Sequence, residues 1–483
     1  MSVRKIFYNT ILQSAGKIVS ALLGLITIAY LTPYLGQVGF GEYTTVVAYM
    51  GFVGILADLG LYLVATKEIS VPGADEKKIL GNIFSLRFIT VVSVLTIGAF
   101  AALLFPYSAA VKNSMFVGIL AFSFVSGTQV LVGVFQKHLI FYQLVASEIV
   151  QRLVMLASTL LFVFWRLDLI YFIWSLALAN AAHFFISLYL ARRHIPFRLQ
   201  FDWGFWKSIL SKSWPLAFSV VLNLIYFKAD TLILSVLKPA QDVGTYGLSY
   251  KFLEVLLAFP AMFAGLIMPF LARYAFNQWD KYRLYLQKSL DAILLVIVPM
   301  VAVAYFFARP IVNLVGGEIY PDADRVLQIL IFATAIIYVG NLLGYTVVAL
   351  NSQKKMVWGY LLGAVVGLPL YFLLIPAYSY FGAAAATVSV ELVVCAFAYF
   401  LTSKAAGFYP SFTLLGRALA AAVPMTIFYN FLQFQWILEA CAGLAIYLFV
   451  LYFLRAIPRG FLREILRARN QTAETPGAIN PES

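Results

Sequence analysis

Apolar runs about twenty residues long recur along almost the whole chain, and only short loops separate them. Their expected spans are 9–31, 42–66, 81–104, 114–134, 143–165, 168–190, 213–237, 243–270, 285–308, 325–349, 357–376, 381–403, 412–432 and 435–455. A helix of roughly 20 apolar residues crosses the hydrocarbon of a bilayer. Lipid offers the backbone no hydrogen-bond partners, so each run must satisfy its own, and that selects helices. A chain of 483 residues that is 63% hydrophobic and 11% charged is not a water-soluble protein built round one ordinary core. The expected fold class is an all-α polytopic membrane protein with about fourteen transmembrane helices. The sharpest stops are expected at Thr32-Pro33, Phe105-Pro106, Lys238-Pro239, Arg309-Pro310 and Ile457-Pro458.

Basic residues orient the spans. With the N-terminus inside, Arg4, Lys5, Lys67, Lys77, Lys78, Lys137, Arg192, Arg193, Arg198, Lys207 and Lys212 fall on the cytoplasmic side. Arg273, Lys281, Arg283, Lys288, Lys354, Lys355, Lys404, Arg417, Arg455, Arg459, Arg463, Arg467 and Arg469 follow them there. The opposite loops hold only Lys112, Arg166, Lys238, Arg309 and Arg325. This bias puts both termini in the cytoplasm. It also accounts for the net charge of +13, which reads as attraction to an anionic leaflet and not to nucleic acid. The first span lacks a small-residue cleavage site and is expected to be an uncleaved anchor. Cys395 and Cys441 lie within spans without metal-ligand spacing, so an apolar buried role is expected.

Two cytoplasmic stretches look amphipathic. In 202–212, Asp202 can cap a turn carrying Trp203, Phe205 and Trp206 before Lys207 and Lys212, a pattern suited to a tether along the inner interface. After Pro458, Arg459, Arg463 and Arg467 recur every fourth residue opposite Phe461, Leu462, Ile465 and Leu466, which suits a helix on anionic headgroups. Residues 470–483 read as a disordered tail.

The chain also repeats. Gly41-Glu42-Tyr43 opens the second span and Gly244-Thr245-Tyr246 opens the eighth, 203 residues later. The same offset sets span one against span seven and, within one residue, Arg87 against Asp291. Two pseudo-symmetric six-helix lobes with two appended C-terminal helices are expected, an organisation that places a site between the lobes. The expected division is an N-lobe at 1–195, a cytoplasmic amphipathic linker at 196–212, a C-lobe at 213–405, two further spans at 406–456, and a basic helix with its tail at 457–483.

An ionisable group inside a span is costly unless it meets a partner or a wet cavity, so each is a functional candidate. The basic candidates are Lys17, Arg87, Arg152, Lys228 and Lys251; the acidic ones are Asp58, Glu148, Asp230, Glu254, Asp291 and Glu391. Lys17 and Asp58 sit at one level of adjacent spans and are expected to be able to pair. Glu148 and Arg152 have intrahelical i,i+4 spacing, and Arg87 lies close enough to the cytoplasmic end of its span to snorkel. Lys17, Lys228 and Lys251 are expected to give a cationic lumen suited to a phosphate-bearing substrate. The carboxylates would neutralise those cations or carry a coupling ion.

Catalysis is not expected. The longest outer connection, 309–324, holds Glu318, Asp322 and Asp324 but no histidine. His138, His183 and His194 lack a nucleophile constellation. The chain has no phosphate loop of the G-x-x-x-x-G-K type. Transport is the expected role.

Three groups of residues carry a family resemblance. They are Asn9-Thr10 through Gly16-Lys17, with Gly39-Phe40-Gly41-Glu42-Tyr43 and Asp58-Leu59-Gly60-Leu61; Ala229-Asp230-Thr231-Leu232-Ile233-Leu234, with Val243-Gly244-Thr245-Tyr246; and Tyr380-Phe381-Gly382-Ala383-Ala384. The chain resembles the polysaccharide-transporter branch of the multidrug/oligosaccharidyl-lipid/polysaccharide (MOP) exporter superfamily, which includes the O-antigen flippases. The resemblance implies a flippase, and not an enzyme, for undecaprenyl-diphosphate-linked oligosaccharide repeat units in a bacterial inner membrane. It would work by alternating access in O-antigen or exopolysaccharide synthesis, with membrane lipids and the polysaccharide polymerase machinery as partners. The implied cationic cavity maps onto Lys17, Lys228 and Lys251, then Arg87 and Arg152. The resemblance implies no cofactor beyond coupling to H+ or Na+. A peptidoglycan-precursor (lipid II) flippase and a MATE-like cation-coupled drug antiporter are the alternatives from the same superfamily.

Overall fold

The computed structural model describes residues 3–456 apart from 59, 72, 139 and 432–434. The described residues are helical throughout, without strands. The first half comprises α1 (Val3–Leu56), α2 (Leu61–Ile69), α3 (Glu76–Ala101), α4 (Ala109–Lys137), α5 (Phe141–Phe164) and α6 (Leu169–His194). The second comprises α7 (Trp203–Leu237), α8 (Ala240–Leu256), α9 (Ala258–Tyr274), α10 (Trp279–Phe306), α11 (Ala308–Gly316), α12 (Ala323–Ala349) and α13 (Gln353–Ala406). α14 (Thr413–Phe431) and α15 (Trp436–Phe453) close the chain. Eleven described helical stretches are long and apolar enough to cross a membrane.

Two of those stretches hold more than one crossing. A straight helix of 54 residues, the length of both α1 and α13, would run roughly 80 Å, far beyond a bilayer. α13 reverses at Ser379, where φ is +51°, so Gly382 packs on the Leu374 carbonyl, Gly367 on Val390 and Gly359 on Phe397. α1 breaks at Gly36, with φ +65° and ψ −176°, a conformation open to glycine alone. The expected stop at Thr32-Pro33 is therefore displaced: Pro33 lies inside the helix, and the glycine three residues on makes the turn. Arg309-Pro310 likewise falls within the first turn of α11, where a missing amide proton costs little. With these reversals and the 35-residue α7, the helices match the fourteen expected crossings.

The sequence repeat becomes a contact. A β-carbon at Gly41 would collide with the carbonyl oxygen of Ala240, and one at Gly244 with that of Gln37. Ala240 stands 203 residues after Gln37, so each half of the seam repeats the other, as in a two-fold interface. Glycine is needed at both positions because two helix backbones meet there. On the same side, Tyr320 donates to the carbonyls of Thr32 (2.9 Å) and Gly36 (3.1 Å), and Thr32 donates to that of Val315 (2.6 Å).

The cores of the halves differ. In the second half one apolar cluster runs through α7, α8, α9, α10, α12 and α13. In the first half a cluster around Val53, Leu95 and Met115 is separate from one around Leu61, Ile83 and Leu131. Between them lies a polar layer at Asp58, Arg87, Ser126 and Gln129. α14 and α15 pack on each other and dock against α10 through Ala418, Ala421, Met425 and Tyr447.

The 196–212 segment is not a free surface tether. Residues 195–202 run along the start of α3, where Gln200 N–H donates to Ser85 Oγ (3.1 Å) and Asp202 N–H to Asn82 Oδ1 (2.8 Å). Asp202 does cap the following helix, accepting from Phe205 N–H at 3.0 Å. That helix continues directly into the membrane as α7, and Trp206 is buried with its indole N–H on the Asn82 carbonyl. The basic helix and tail expected after Pro458 lie outside the described residues.

Candidate functional site

A cavity of about 210 Å³ opens between the lobes. Its N-lobe wall is the second crossing of α1, with Tyr43, Thr44 and Val47, and Phe122 of α4. Its C-lobe wall carries Lys228 and Thr231 of α7 and Tyr250, Lys251 and Glu254 of α8. Lys228 lies 3.0 Å and Lys251 2.7 Å from the two oxygens of Glu254. Residues 251 and 254 share a helix face, and α7 brings the second lysine across to the same carboxylate. The Lys228 ammonium also sits 4.8 Å from the ring centre of Tyr250, a cation–π contact. Two cations on one carboxylate leave one net positive charge in a wall that is still partly exposed.

The N-lobe holds a second group of the same charge. Lys17 pairs with Glu148 at 2.5 Å, joining α1 to α5. Arg152, one turn on from Glu148, lies against Gly24 and makes no ion pair among the described residues. Both expected partnerships are thereby corrected. Glu148 pairs across helices with Lys17 and not with Arg152, and Asp58 is not the partner of Lys17. Tyr43 links this group to the cavity, because it lies within electrostatic reach of both Arg152 and Glu254.

Arg87 stands apart from these lysines. It does not snorkel: it is 2% exposed and forms an ion pair with Asp58. The nitrogen in that pair, Nη1, also donates to the Asp58 carbonyl (3.0 Å), while Nε donates to Ser126 (2.6 Å) and Nη2 to Gln129 (2.8 Å). All three guanidinium nitrogens are engaged inside the N-lobe, which makes this a structural layer. α1 ends at Leu56 and α2 starts at Leu61, and the Asp58 carbonyl between them accepts from both the Leu61 amide (2.9 Å) and the buried arginine.

The remaining carboxylates lie elsewhere in the C-lobe. Asp230, 1% exposed, accepts from Tyr246 (2.6 Å), Thr387 (3.2 Å) and both the amide (2.6 Å) and hydroxyl (3.2 Å) of Thr231. Glu391 is buried within electrostatic reach of Asp230, near Tyr360 and Tyr371. Asp291 accepts from Gln287 at 2.9 Å at the far end of α10, outside the cavity. No cluster of three metal-ligating side chains occurs among the described residues.

One large feature escaped sequence reasoning. An apolar groove of about 960 Å³ runs between the first crossing of α1, α8, α10 and α15, lined among others by Leu22, Leu25, Phe252, Pro299 and Leu444. Leu22, Leu25, Ile26 and Ala29 show the one-face helical spacing of such a wall, but the same spacing serves a lipid-facing stripe. Tyr43, Tyr246, Tyr250 and Thr387 were also missed, since neutral side chains in apolar spans carry no charge signal.

A family model described as polysaccharide biosynthesis protein matches residues 6–275, and one described as MatE matches residues 215–373. No curated protein matches the chain in sequence. Among solved structures, the lipid II flippase MurJ in an inward closed conformation is similar, with a TM-score of 0.78 at 14% identity over 92% of this chain and 99% of that one. An inward-facing MATE family multidrug resistance transporter of the MOP superfamily gives 0.65 at 12% identity over 82% and 98%. The eukaryotic MATE transporter AtDTX14 gives 0.58 at 15% identity over 84% and 97%. At these identities the structural likeness establishes the fold. Taken with the family match over more than half its length, the fold and the two charged lobes place the chain in the polysaccharide biosynthesis protein family, the polysaccharide-transporter branch of the MOP exporter superfamily.

Proposed function

We propose that this transporter is a flippase for undecaprenyl-diphosphate-linked oligosaccharide repeat units, moving them across a bacterial inner membrane with both of its termini in the cytoplasm. The observation that carries the reading is the pairing of a cationic inter-lobe cavity with a long apolar groove beside it. In each lobe two cations lie near one carboxylate: Lys228 and Lys251 both pair with Glu254, and in the N-lobe Lys17 pairs with Glu148 while Arg152, one turn on, stays outside the pair. The surplus of about one positive charge per lobe complements a diphosphate shared between them. The groove takes the prenyl chain, which passes from lipid to an equally apolar wall and so needs no solvent-filled path.

In the mechanism proposed, the lobes rock about the Gly41–Gly244 seam. A diphosphate bridging the two charged groups draws the lobes together, and opening the seam exposes it to the outer leaflet. Asp230, held by Tyr246, Thr231 and Thr387, is the site where H+ or Na+ biases that exchange, with Glu391 behind it. Arg87 supports the N-lobe and does not touch substrate. The released units feed the polysaccharide polymerase machinery.

Depletion in the native host, followed by mass spectrometry of extracted prenyl-linked glycans, tests the substrate. Accumulation of one undecaprenyl-diphosphate oligosaccharide with loss of surface polysaccharide supports the reading. Accumulation of the peptidoglycan precursor favours the second reading, a lipid II flippase, which the likeness in fold to MurJ keeps in view. Unchanged lipid-linked pools with new sensitivity to cationic drugs favour an antiporter.

A further inference from the structure

A second polar cavity, of about 490 Å³, lies at the end of α10 that the basic-residue bias places in the cytoplasm. It is lined by Lys288 and Asp291 of α10, Ser411 and Arg417 around the start of α14, and Arg455 beyond α15. Three cations face one carboxylate there. Arg417 and Arg455 make no ion pair among the described residues.

The pocket is held in shape from several sides. Gln287 donates to the Ser411 carbonyl (2.8 Å) and accepts from the Ser411 amide (2.7 Å), tying the loop before α14 to α10. The same side chain donates to Asp291, which turns the carboxylate toward its own helix. Arg455 adopts φ +50° in a helix stop where Ala456 N–H reaches back to the Leu451 carbonyl at 3.1 Å. The N-terminus of the nineteen-residue α14 borders the same space and favours an anion.

Leu295 lines both this pocket and the apolar groove. A cationic basin that opens onto an apolar channel suits an amphiphile better than a free anion. The pocket shares no lining residue with the Lys228–Lys251 cavity, so the two can be occupied independently.

We propose that this pocket seats the phosphate of an anionic phospholipid of the inner leaflet, with an acyl chain laid along the groove from Leu295. The lipid braces α14 and α15 against α10 and fills the inner end of the groove between transport cycles. The proposal shares with the flippase reading only the groove as a place for lipid chains.

The test is native mass spectrometry of the delipidated full-length protein titrated separately with phosphatidylglycerol, phosphatidylcholine of the same chains, undecaprenyl phosphate and inorganic phosphate. Phosphatidylglycerol should be retained over phosphatidylcholine by about fivefold for each cation that engages it. Arg417→Gln with Arg455→Gln, both exposed positions, should erase that preference. Leu295→Trp should weaken phosphatidylglycerol while leaving inorganic phosphate unaffected. Equal retention of the two phospholipids, or a preference that survives the double substitution, overturns the proposal. Phosphatidylglycerol retention that Leu295→Trp leaves unchanged marks a site for the headgroup anion alone, and retention of undecaprenyl phosphate without phosphatidylglycerol assigns the pocket to the transported carrier; both reject a resident phospholipid. Lys228→Gln with Lys251→Gln should leave phosphatidylglycerol binding unchanged, so a failed flippase reading and a failed lipid site give different results.

Discussion

Two charged groups inside the membrane, the Arg87 layer of the N-lobe and the Glu254 group of the C-lobe, are used in opposite ways. In the N-lobe, Arg87 and Asp58 neutralise each other one to one inside a layer that divides the apolar core in two. In the C-lobe, Lys228 and Lys251 share Glu254 at the wall of a cavity, and the core behind them is continuous. Related architecture therefore does not imply related use of charge. A buried one-to-one pair has no spare charge to offer a ligand; a partly exposed two-to-one group has a surplus.

The largest effect should come from breaking the first arrangement. Arg87→Leu leaves Asp58 buried without its partner and should cost roughly 3–5 kcal/mol of stability, read as loss of folded protein and a lowered midpoint of thermal unfolding in detergent. Adding Asp58→Leu should restore much of the loss, because a well-packed apolar pair can replace a buried ion pair. Normal folding of Arg87→Leu with transport abolished would contradict the structural assignment and make the lobes functionally alike.

Next comes the C-lobe wall. Lys228→Gln with Lys251→Gln should fold normally yet lower flipping at least about tenfold, since it turns a net cationic wall anionic. Glu254→Gln should instead tighten binding of a prenyl diphosphate and slow its release. Complementation of surface-polysaccharide synthesis and a binding titration separate these outcomes. If either lysine variant unfolded as Arg87→Leu should, the contrast between the lobes would collapse.

A smaller effect is expected where the lobes meet. Gly41→Leu should force the helices apart at the seam, biasing the transporter toward an outward-open state. Cysteines placed at Gln37 and Ala240 should cross-link readily in an otherwise unaltered background and poorly once Gly41→Leu is added; unchanged cross-linking would dissociate the seam from the transport cycle. Asp230→Asn should keep substrate binding while removing the response of transport to an imposed H+ or Na+ gradient.

Much of the helical architecture was legible in sequence, because span length answers directly to bilayer thickness. The repeat of Gly41 at Gly244 was legible too, but that the two glycines meet at one seam was not, because a repeat gives equivalence and not contact. Partner choice was not legible either. Lys17 and Asp58 sit at one level, but α3 presents Arg87 to Asp58, and α5 presents Glu148 to Lys17. Depth along a span is written in the sequence, whereas rotation about its axis is set by packing. The groove escaped for a related reason: a leucine lining it and a leucine facing lipid satisfy the same local pattern.

The smallest expected effect contrasts an exposed pair with the buried one. Asp202 caps α7 by accepting from Phe205 N–H, and Lys78 lies 3.3 Å from its other oxygen. These two contacts, the amide first, hold its carboxyl below the usual carboxylate range. A depressed folded-state value means that the contribution is fully present above the unfolded value of about 4 and is lost as pH falls through the folded one. Asp202→Asn retains an oxygen that can cap the helix and removes the charge. It should therefore lower the unfolding midpoint slightly at pH 7, with the gap to the unsubstituted protein closing on acidification below that range. Added salt should shrink the gap at pH 7 as well, because a surface pair is screened, while the penalty of Arg87→Leu should persist in the same salt series. Equal salt sensitivity of the two variants would mean that water reaches the Arg87 layer, and the division between a sealed N-lobe pair and an open C-lobe site would have to be redrawn.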